Sequence, residues 1–224
     1  MTSGWLLIII VFVLGLIVQT KLDSVFKKYE NEFSPGGLTG KDIAEKMLRD
    51  NGIHDVTVTC IEGRLTDHYN PTDKTINLSR GVYSGRSVSA AAVAAHETGH
   101  ALQHAQGYAP LKLRSALVPM VNISSSLSQI VIILGILTIN VFPALFWLGI
   151  AMFAMVLLFS VVTLPVEYNA SQRALAWLES SDTLRAVNLD HAREALTWAA
   201  RTYLVAALSA LATLVYYLGF ARRN

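Results

Sequence analysis

Residues 91–105 read AAVAAHETGHALQHA and place three histidines and one glutamate among small apolar residues. The alanine content favours a helix, and residues four apart on a helix lie one above the other on the same face. His96 and His100 therefore share a face and can reach one metal ion. The alternative is an alanine-rich helix with incidental polar residues, but burying these groups without a metal or polar partners costs free energy.

The stretch also contains the H-E-x-x-H pattern, with His96 and His100 as its histidines and Glu97 as its glutamate. In this pattern the two histidines bind zinc and the glutamate takes a proton from a zinc-bound water. We therefore expect His96 and His100 to be metal ligands and Glu97 to be the catalytic base. A catalytic zinc ion usually takes three protein ligands, so the pattern requires one more.

His104 follows in the same stretch, but it does not suit the third position. On a continuous helix it lies about 12 Å along the axis from His96, which is too far for one ion that His96 and His100 also bind. We expect His104 at the periphery of the site or on the surface. The acids remain as candidates, together with His54, His68 and His191.

Among these candidates, the segment TLPVEYNASQRALAWL, residues 163–178, stands out because it presents Glu167 where a long apolar stretch ends. Thr163 and Pro165 predict a helix start, as a cap and a first-turn residue. Two apolar stretches separate this segment from His96, and an even number of membrane crossings returns the chain to the same side. Glu167 is therefore the favoured third ligand, and the alternative is an interfacial acid that reaches water.

The residues that follow Glu167 support this interpretation. Ala170 and Ser171 stand three and four residues further on and share its helix face. Ala170 is small enough for close packing against Gly99, and the Ser171 hydroxyl is suited to hydrogen-bond a metal ligand.

The composition indicates a membrane protein. The chain has 224 residues, of which 53% are hydrophobic and 15% charged, which is too apolar for an ordinary soluble domain. The net charge is only +2 and the basic residues are spread along the chain, so no nucleic-acid partner is expected. The single cysteine, Cys60, excludes an internal disulfide framework; we expect it to pack in a strand core.

Four apolar stretches are long enough to span a bilayer. They are residues 4–20, 118–139, 141–166 and 202–220. The first lacks a basic leader and a cleavage site, which predicts an uncleaved anchor. With four spans, 16 of the 18 lysines and arginines fall in residues 21–117 and 167–201, and Arg222 and Arg223 fall on the other side. By the positive-inside rule, these two loops are cytoplasmic.

The loop of residues 21–117 carries the signals of a small domain. Thr39 and Asp42 form a capping box for a helix through Asp50, and alternating residues predict strands at 55–61 and 75–79. The predicted fold is a mainly α membrane protein, with four transmembrane helices and a small α+β zincin-like cytoplasmic catalytic domain. Its parts are an anchor (1–20), the catalytic domain (21–117), a transmembrane hairpin (118–166), a cytoplasmic helical segment (167–201) and a last transmembrane helix with its tail (202–224).

Several stretches together resemble the YugP-like membrane zinc metallopeptidases, a bacterial family, over nearly the whole chain. They are GLTGKDIAEKML, LTDHYNP, INLSRGVYSGRSVSAAAVAAHETGHALQHAQGYAPLKLR, TLPVEYNASQRAL and AARTYLVAAL. The resemblance implies His96, His100 and Glu167 as ligands of a Zn²⁺ cofactor and Glu97 as the base. The E-x-x-A-S setting of Glu167 is similar to the E-x-x-A-D motif of other membrane gluzincins, with Ser171 in place of the aspartate.

The resemblance also implies peptide or protein substrates, membrane proteins among them, and a multi-pass location in the bacterial plasma membrane. Candidates to stabilise the oxyanion are His68, Tyr203 and Arg173. The alternatives are a turn histidine, an interfacial tyrosine, and an arginine that balances local acids or lipid head groups. By analogy with other metalloproteases, the strand at 75–79 is expected at the sheet edge, where a peptide substrate would pair with it.

Three functions fit these patterns. The first is a membrane-anchored zinc-dependent endopeptidase. The second is a zinc-binding adaptor or chaperone without proteolytic activity, although a structural zinc site needs no base such as Glu97. The third is a transporter or lipid-binding bundle, which predicts acids or histidines inside the spans; residues 118–166 contain none.

Overall fold

The computed structural model of the chain describes the backbone of residues 2–221 and the side chains of residues 5–221. Arg222 and Arg223 lie outside the described residues. In chain order, the elements are α1 Thr2–Glu30, α2 Gly40–Asp50, β1 Thr57–Ile61, β2 His68–Asn70, β3 Thr75–Ser79, α3 Arg80–Tyr83, α4 Val88–Ala105, α5 Ala109–Leu137, α6 Pro143–Ser180 and α7 Ala186–Ala221.

Among the residues that the structure describes, four helices are long and apolar enough to cross a membrane, as the sequence predicts: α1, α5, α6 and α7. Each extends beyond its apolar stretch, because a helix does not have to end where its side chains become polar. The helix start predicted at Thr163 was therefore wrong. α6 continues through Pro165, and the Thr163 hydroxyl donates to the carbonyl of Phe159 at 2.8 Å within the same helix.

The described chain divides into two compact units. The first comprises Met1–Val18, Lys112–Leu164 and Arg201–Asn224. Within it, α5 and α6 approach closely at two glycines. A Cβ atom on Gly135 would lie 2.5 Å from the Cα of Phe146, and one on Gly149 would lie 2.5 Å from a side-chain carbon of Ile132. Glycine at both positions allows backbone contact between the helices, as is common among membrane helices.

The second unit comprises Gln19–Leu111 and Pro165–Ala200. Its core surrounds α4, in which 15 of 18 residues are buried. The small side chains of this helix let its neighbours pack close to its backbone, and α2 makes extensive contact with it. The largest fully buried apolar side chains of this core are Tyr29, Ile43, Met47, Ile76, Leu78 and Leu178.

A three-stranded sheet completes the second unit, in the order β1-β3-β2. β3 pairs with β1 in parallel and with β2 antiparallel, so the strand expected at the edge lies in the centre. Ile76 and Leu78 of β3 are fully buried, as suits a central strand. The edge strand β2 contacts α4; sequence patterns did not predict it, because it has only three residues between two turns.

The predicted burial of Cys60 was also wrong. Val58 is buried, but Cys60, two residues further along β1, is exposed. β1 is an edge strand of a small sheet, and its neighbours do not cover the end of the strand.

The predicted start of α2 is confirmed. Thr39 is the N-cap, and its hydroxyl accepts the amide of Asp42 at 3.2 Å. The Asp42 carboxylate in turn accepts the Thr39 amide at 2.9 Å and the Thr39 hydroxyl at 2.6 Å. These hydrogen bonds lower the pKa of Asp42 below its usual value, because they favour the ionised form.

We expect Thr39→Ala to lower the free energy of unfolding by about 1 kcal/mol at pH 7. The pKa of Asp42 is depressed in the folded state, so its contribution is complete above its unfolded pKa and is lost as the pH falls through the folded value. The difference between the two proteins should therefore shrink below about pH 4. Denaturation in detergent micelles measures both effects. Thr72→Ala, at an exposed threonine in the turn between β2 and β3, is the control; an equal loss there would contradict the capping account.

Candidate metal centre

Three side chains of the second unit converge at one buried point. α4 presents His96 and His100 one turn apart, and α6 presents Glu167. One ligand atom from each of the three lies within 4.8 Å of the others. The Nε2 atom of His96 lies 3.2 Å from Oε2 of Glu167, and the Nε2 atom of His100 lies 3.6 Å from the same oxygen.

The ligand atoms on α4 and α6 lie this close together because the backbones of the two helices touch. A Cβ atom on Gly99 would lie 2.6 Å from the carbonyl oxygen of Ala170 and 3.2 Å from its Cα, which is closer than a side chain tolerates. The predicted packing of Ala170 against Gly99 is confirmed. The glycine between the two histidines therefore sets the separation between α4 and the helix that carries Glu167.

A buried glutamine determines the protonation of the His100 ring. The Gln103 amide nitrogen donates to the backbone carbonyl of Val166 at 2.8 Å and to the Asn169 carbonyl at 3.0 Å. Because a backbone carbonyl only accepts, the other end of Gln103 must be its oxygen, which accepts Nδ1–H of His100 at 3.0 Å. The Nε2 atom of His100 then carries a lone pair that is available to a metal.

Two further side chains, Ser171 and Arg173, stabilise this arrangement. The Ser171 hydroxyl lies 3.1 Å from Nδ1 of His96, so the predicted contact between Ser171 and a candidate ligand is confirmed. Arg173 donates to the side-chain oxygens of Asn169 at 2.7 Å and Gln106 at 2.5 Å. Arg173 thus pairs with amide oxygens and not with the acids expected, and it holds Asn169 in the orientation that Gln103 needs.

These donors fit zinc. The donor set is two imidazole nitrogens and one carboxylate oxygen, which is a common set in catalytic zinc sites. The ring nitrogen of His100 and the carboxylate of Glu167 both present lone pairs to the same buried point, and such an arrangement favours a cation there. The three residues are therefore positioned to bind a metal ion.

Glu97 lies directly beside this cluster and is itself buried, with 8% of its surface exposed. Burial raises the pKa of its carboxyl group to about 7, because desolvation disfavours the charged form. The backbone amide of Tyr69 on β2 hydrogen-bonds to the carboxylate. Edge strand β2 therefore passes alongside Glu97.

The remaining histidines lie apart from the cluster. His104 pairs through Nδ1 with the Tyr69 hydroxyl at 2.7 Å, which agrees with its exclusion as a ligand. His68 is exposed on β2, and its ring nitrogens contact the Thr66 carbonyl and the Asn77 side chain. His191 pairs with Glu32 at 2.8 Å. His54 is also exposed.

Tyr203, the second candidate for the oxyanion, belongs to the first unit. Its role and that of His68 stay predictions. Sequence patterns did not predict a role for Gln103 or Asn169. Gln103 stands three residues after His100, a spacing that allows contact on a helix, and that spacing is the one signal that pointed to it.

Over the described part of the chain, fold and site together define a mostly helical protein with four helices that can cross a membrane and one site suited to zinc. Residues 4–222 match the family described as "Putative neutral zinc metallopeptidase", so the chain belongs to this family of zinc metallopeptidases. It is also 40% identical to the "Putative membrane protease YugP" of Bacillus subtilis (strain 168), over 91% of this chain and 90% of that protein.

No solved structure matches the chain. The family that the sequence resembles is confirmed. The predicted zinc cofactor is confirmed as well, by the family together with the position of the three residues.

Replacing Gly99 tests the backbone contact that forms the centre. In Gly99→Ala the new methyl group would meet the Ala170 carbonyl, so the helices must separate and carry Glu167 away from the two histidines. We expect zinc affinity to fall on the order of tenfold or more, measured by competition with a chromophoric chelator. Gly219→Ala is the matched control, since a Cβ there meets nothing within 4 Å. Unchanged zinc affinity in Gly99→Ala would contradict the account.

Replacing Gln103 tests the orientation of His100. Gln103→Met keeps the size of the side chain but removes its hydrogen bonds to the Val166 carbonyl, to the Asn169 side chain and to the His100 ring. We expect zinc affinity to fall about 10- to 100-fold, while far-UV circular dichroism stays unchanged. Gln172→Met, at an exposed glutamine of α6, should bind zinc as the wild type does. Equal affinities for all three proteins would show that Gln103 does not position His100.

Proposed function

We propose that this chain is a membrane-anchored, zinc-dependent endopeptidase. The observation that carries the proposal is the convergence of His96, His100 and Glu167 within 4.8 Å, with the buried Glu97 beside them. We assign the first three as zinc ligands and Glu97 as the catalytic base. The base is what distinguishes this site from a structural one, because a zinc ion that only stabilises a fold needs no neighbouring proton acceptor.

Zinc bound at this site would polarise the scissile carbonyl and lower the pKa of the attacking water. Glu97 takes the proton from that water and delivers it to the leaving amine. A pKa of about 7 suits both steps, since a base near the working pH can accept a proton and return it. The Tyr69 amide favours the ionised form of this carboxylate, as would a neighbouring cation.

The chain offers two groups for the oxyanion, and we keep both as proposals. His68 lies on β2, next to the residue whose amide contacts Glu97; its ring must leave Asn77 to reach a substrate. Tyr203 lies on α7. A peptide substrate would lie alongside β2, the edge strand that contacts α4, and no longer alongside β3 as the sequence suggested.

We further propose that the second unit is a zincin-like catalytic domain in the cytoplasm. The support is the charge distribution, with 16 of 18 basic residues in residues 21–117 and 167–201, and the four helices that can cross a membrane. Residues 1–20, 118–166 and 202–224 are then the membrane-spanning parts. Substrates close to the bilayer, membrane proteins among them, are the natural targets of such an enzyme.

The single cysteine tests this sidedness. Cys60 is exposed on β1, so a membrane-impermeant maleimide should label it in permeabilised cells and leave it unlabelled in intact cells. Cys60→Ser provides the background. Labelling in intact cells would place the catalytic domain outside the cytoplasm.

Proteolysis itself is tested with three proteins purified in detergent and loaded with zinc. The wild type should cleave casein or a peptide library, and Glu97→Gln should bind zinc normally but lose activity by a factor of about 10³ or more. Glu179→Gln, at an exposed glutamate of α6, should remain active. A zinc-loaded wild type that cleaves none of these substrates would contradict the proposal and favour the zinc-binding adaptor.

A further inference from the structure

One face of α4 carries Glu97 and contributes to the walls of two cavities. Ala90, Val93, Glu97, Ala101 and His104 follow one another at spacings of three, four, four and three residues, so they lie in a row along one helix face. Ala90 and Val93 line the first cavity, and Ala101 and His104 line the second. Glu97 stands between the two cavities.

The first cavity is narrow, with a volume of about 70 Å³. Its polar part is closed by a pair of hydrogen bonds, in which the amide and hydroxyl of Ser79 donate to the Asp67 carboxylate at 2.7 and 3.1 Å. Phe26 and Leu65 contribute apolar walls. Glu30 and Arg64 also line the cavity. A cavity of this size suits a small side chain.

The second cavity is much larger, with a volume of about 370 Å³. Ala101 and Ala105 leave it open on the α4 side, and Ile53 and Val56 give it an apolar wall. Its polar groups are the hydrogen-bonded pair of Tyr69 and His104, and the ion pair of Asp55 and Lys74 at 2.5 Å. This cavity suits a bulky side chain.

Strand β2 joins the two cavities. Asp67, just before the strand, lines the first, and Tyr69 lines the second. Between them, the Tyr69 amide contacts Glu97. Along α4, Val93 and Ala101 are about 12 Å apart, which an extended peptide covers in about four residues.

From these observations we propose that the two cavities are substrate subsites on opposite sides of the scissile bond. The narrow one takes a small side chain, and the roomy one takes an aromatic or long aliphatic side chain about four residues away. The substrate class is therefore an extended peptide with one small and one bulky determinant that bracket the cleavage point. This inference rests on the proposed peptidase function and adds its specificity.

The test is a cleavage-site profile of a random peptide library, read by mass spectrometry. The wild type should select a small residue at one position and a bulky residue at another, one on each side of the cleaved bond. Ala105 is exposed and lines the larger cavity, so Ala105→Leu should fill it without disturbing the core. Its preference for bulky over small residues at that position should fall about tenfold, with zinc content and the other position unchanged.

Ala186→Leu, at an exposed alanine that begins α7, is the matched control and should keep the wild-type profile. Cleavage without selection at two bracketing positions, or an Ala105→Leu profile equal to that of the wild type, would overturn the subsites and leave the peptidase intact. Binding of a synthetic peptide with one small and one bulky residue four positions apart to zinc-loaded Glu97→Gln separates the other case. If the peptide binds and Ala105→Leu weakens that binding, but the wild type cleaves nothing, the peptidase fails and the binding sites stand.

Discussion

The contact between Gly99 and the backbone of Ala170 is the constraint on which the metal centre depends. Two ligands one turn apart on α4 are local, but Glu167 is 71 residues away from His96 in the chain. Only a backbone-to-backbone approach of the two helices brings a short carboxylate side chain next to both imidazoles. A residue without a side chain between the two histidines makes that approach sterically feasible.

A polar network next to the two helices then determines which nitrogen of the His100 ring carries the proton. The Val166 carbonyl orients Gln103, and Gln103 orients His100, so the ring presents a lone pair and not a proton to the centre. Arg173 holds Asn169, which supports the same amide. Each of these buried or half-buried groups has a partner, and a polar network of this kind stabilises a single arrangement only when it is fully paired. Residues that are not metal ligands themselves thus orient the imidazole of His100 for a metal ion.

The parts of this site that sequence reasoning predicted are those that follow from local geometry. Helical periodicity places His96 and His100 on one face and excludes His104, and it also places Ala170 and Ser171 beside Glu167. Gln103 and Asn169 could not be predicted in the same way, because their partners come from another helix. The order of the strands could not be predicted for the same reason, because which strands pair in a sheet depends on tertiary structure. β3 was therefore expected at an edge although it lies in the centre, and β2 was not predicted. Cys60 continues the alternating pattern of apolar residues in β1 and was therefore expected in the core. Its exposure follows from the position of β1 at the edge of the sheet.

The lengths of the helices also could not be predicted from hydropathy alone. Hydropathy marks where a segment stops being apolar, and for α1 and α6 this point lies well inside the helix. The continuation of α6 past Pro165 matters for the site, because Val166, Glu167, Asn169 and Ser171 all lie in that continuation. A helix that ended at the last apolar residue would leave the third ligand on an irregular segment.

The central claim is that two imidazoles and the Glu167 carboxylate hold one zinc ion. Zinc K-edge X-ray absorption of the purified, zinc-loaded protein tests it most directly, since imidazole, oxygen and sulfur ligands give distinct scattering. The account predicts two imidazole ligands with the remaining ligands oxygen, and loss of the bound zinc in Glu167→Ala. Three imidazoles, a sulfur ligand, or an unchanged spectrum in Glu167→Ala would contradict it.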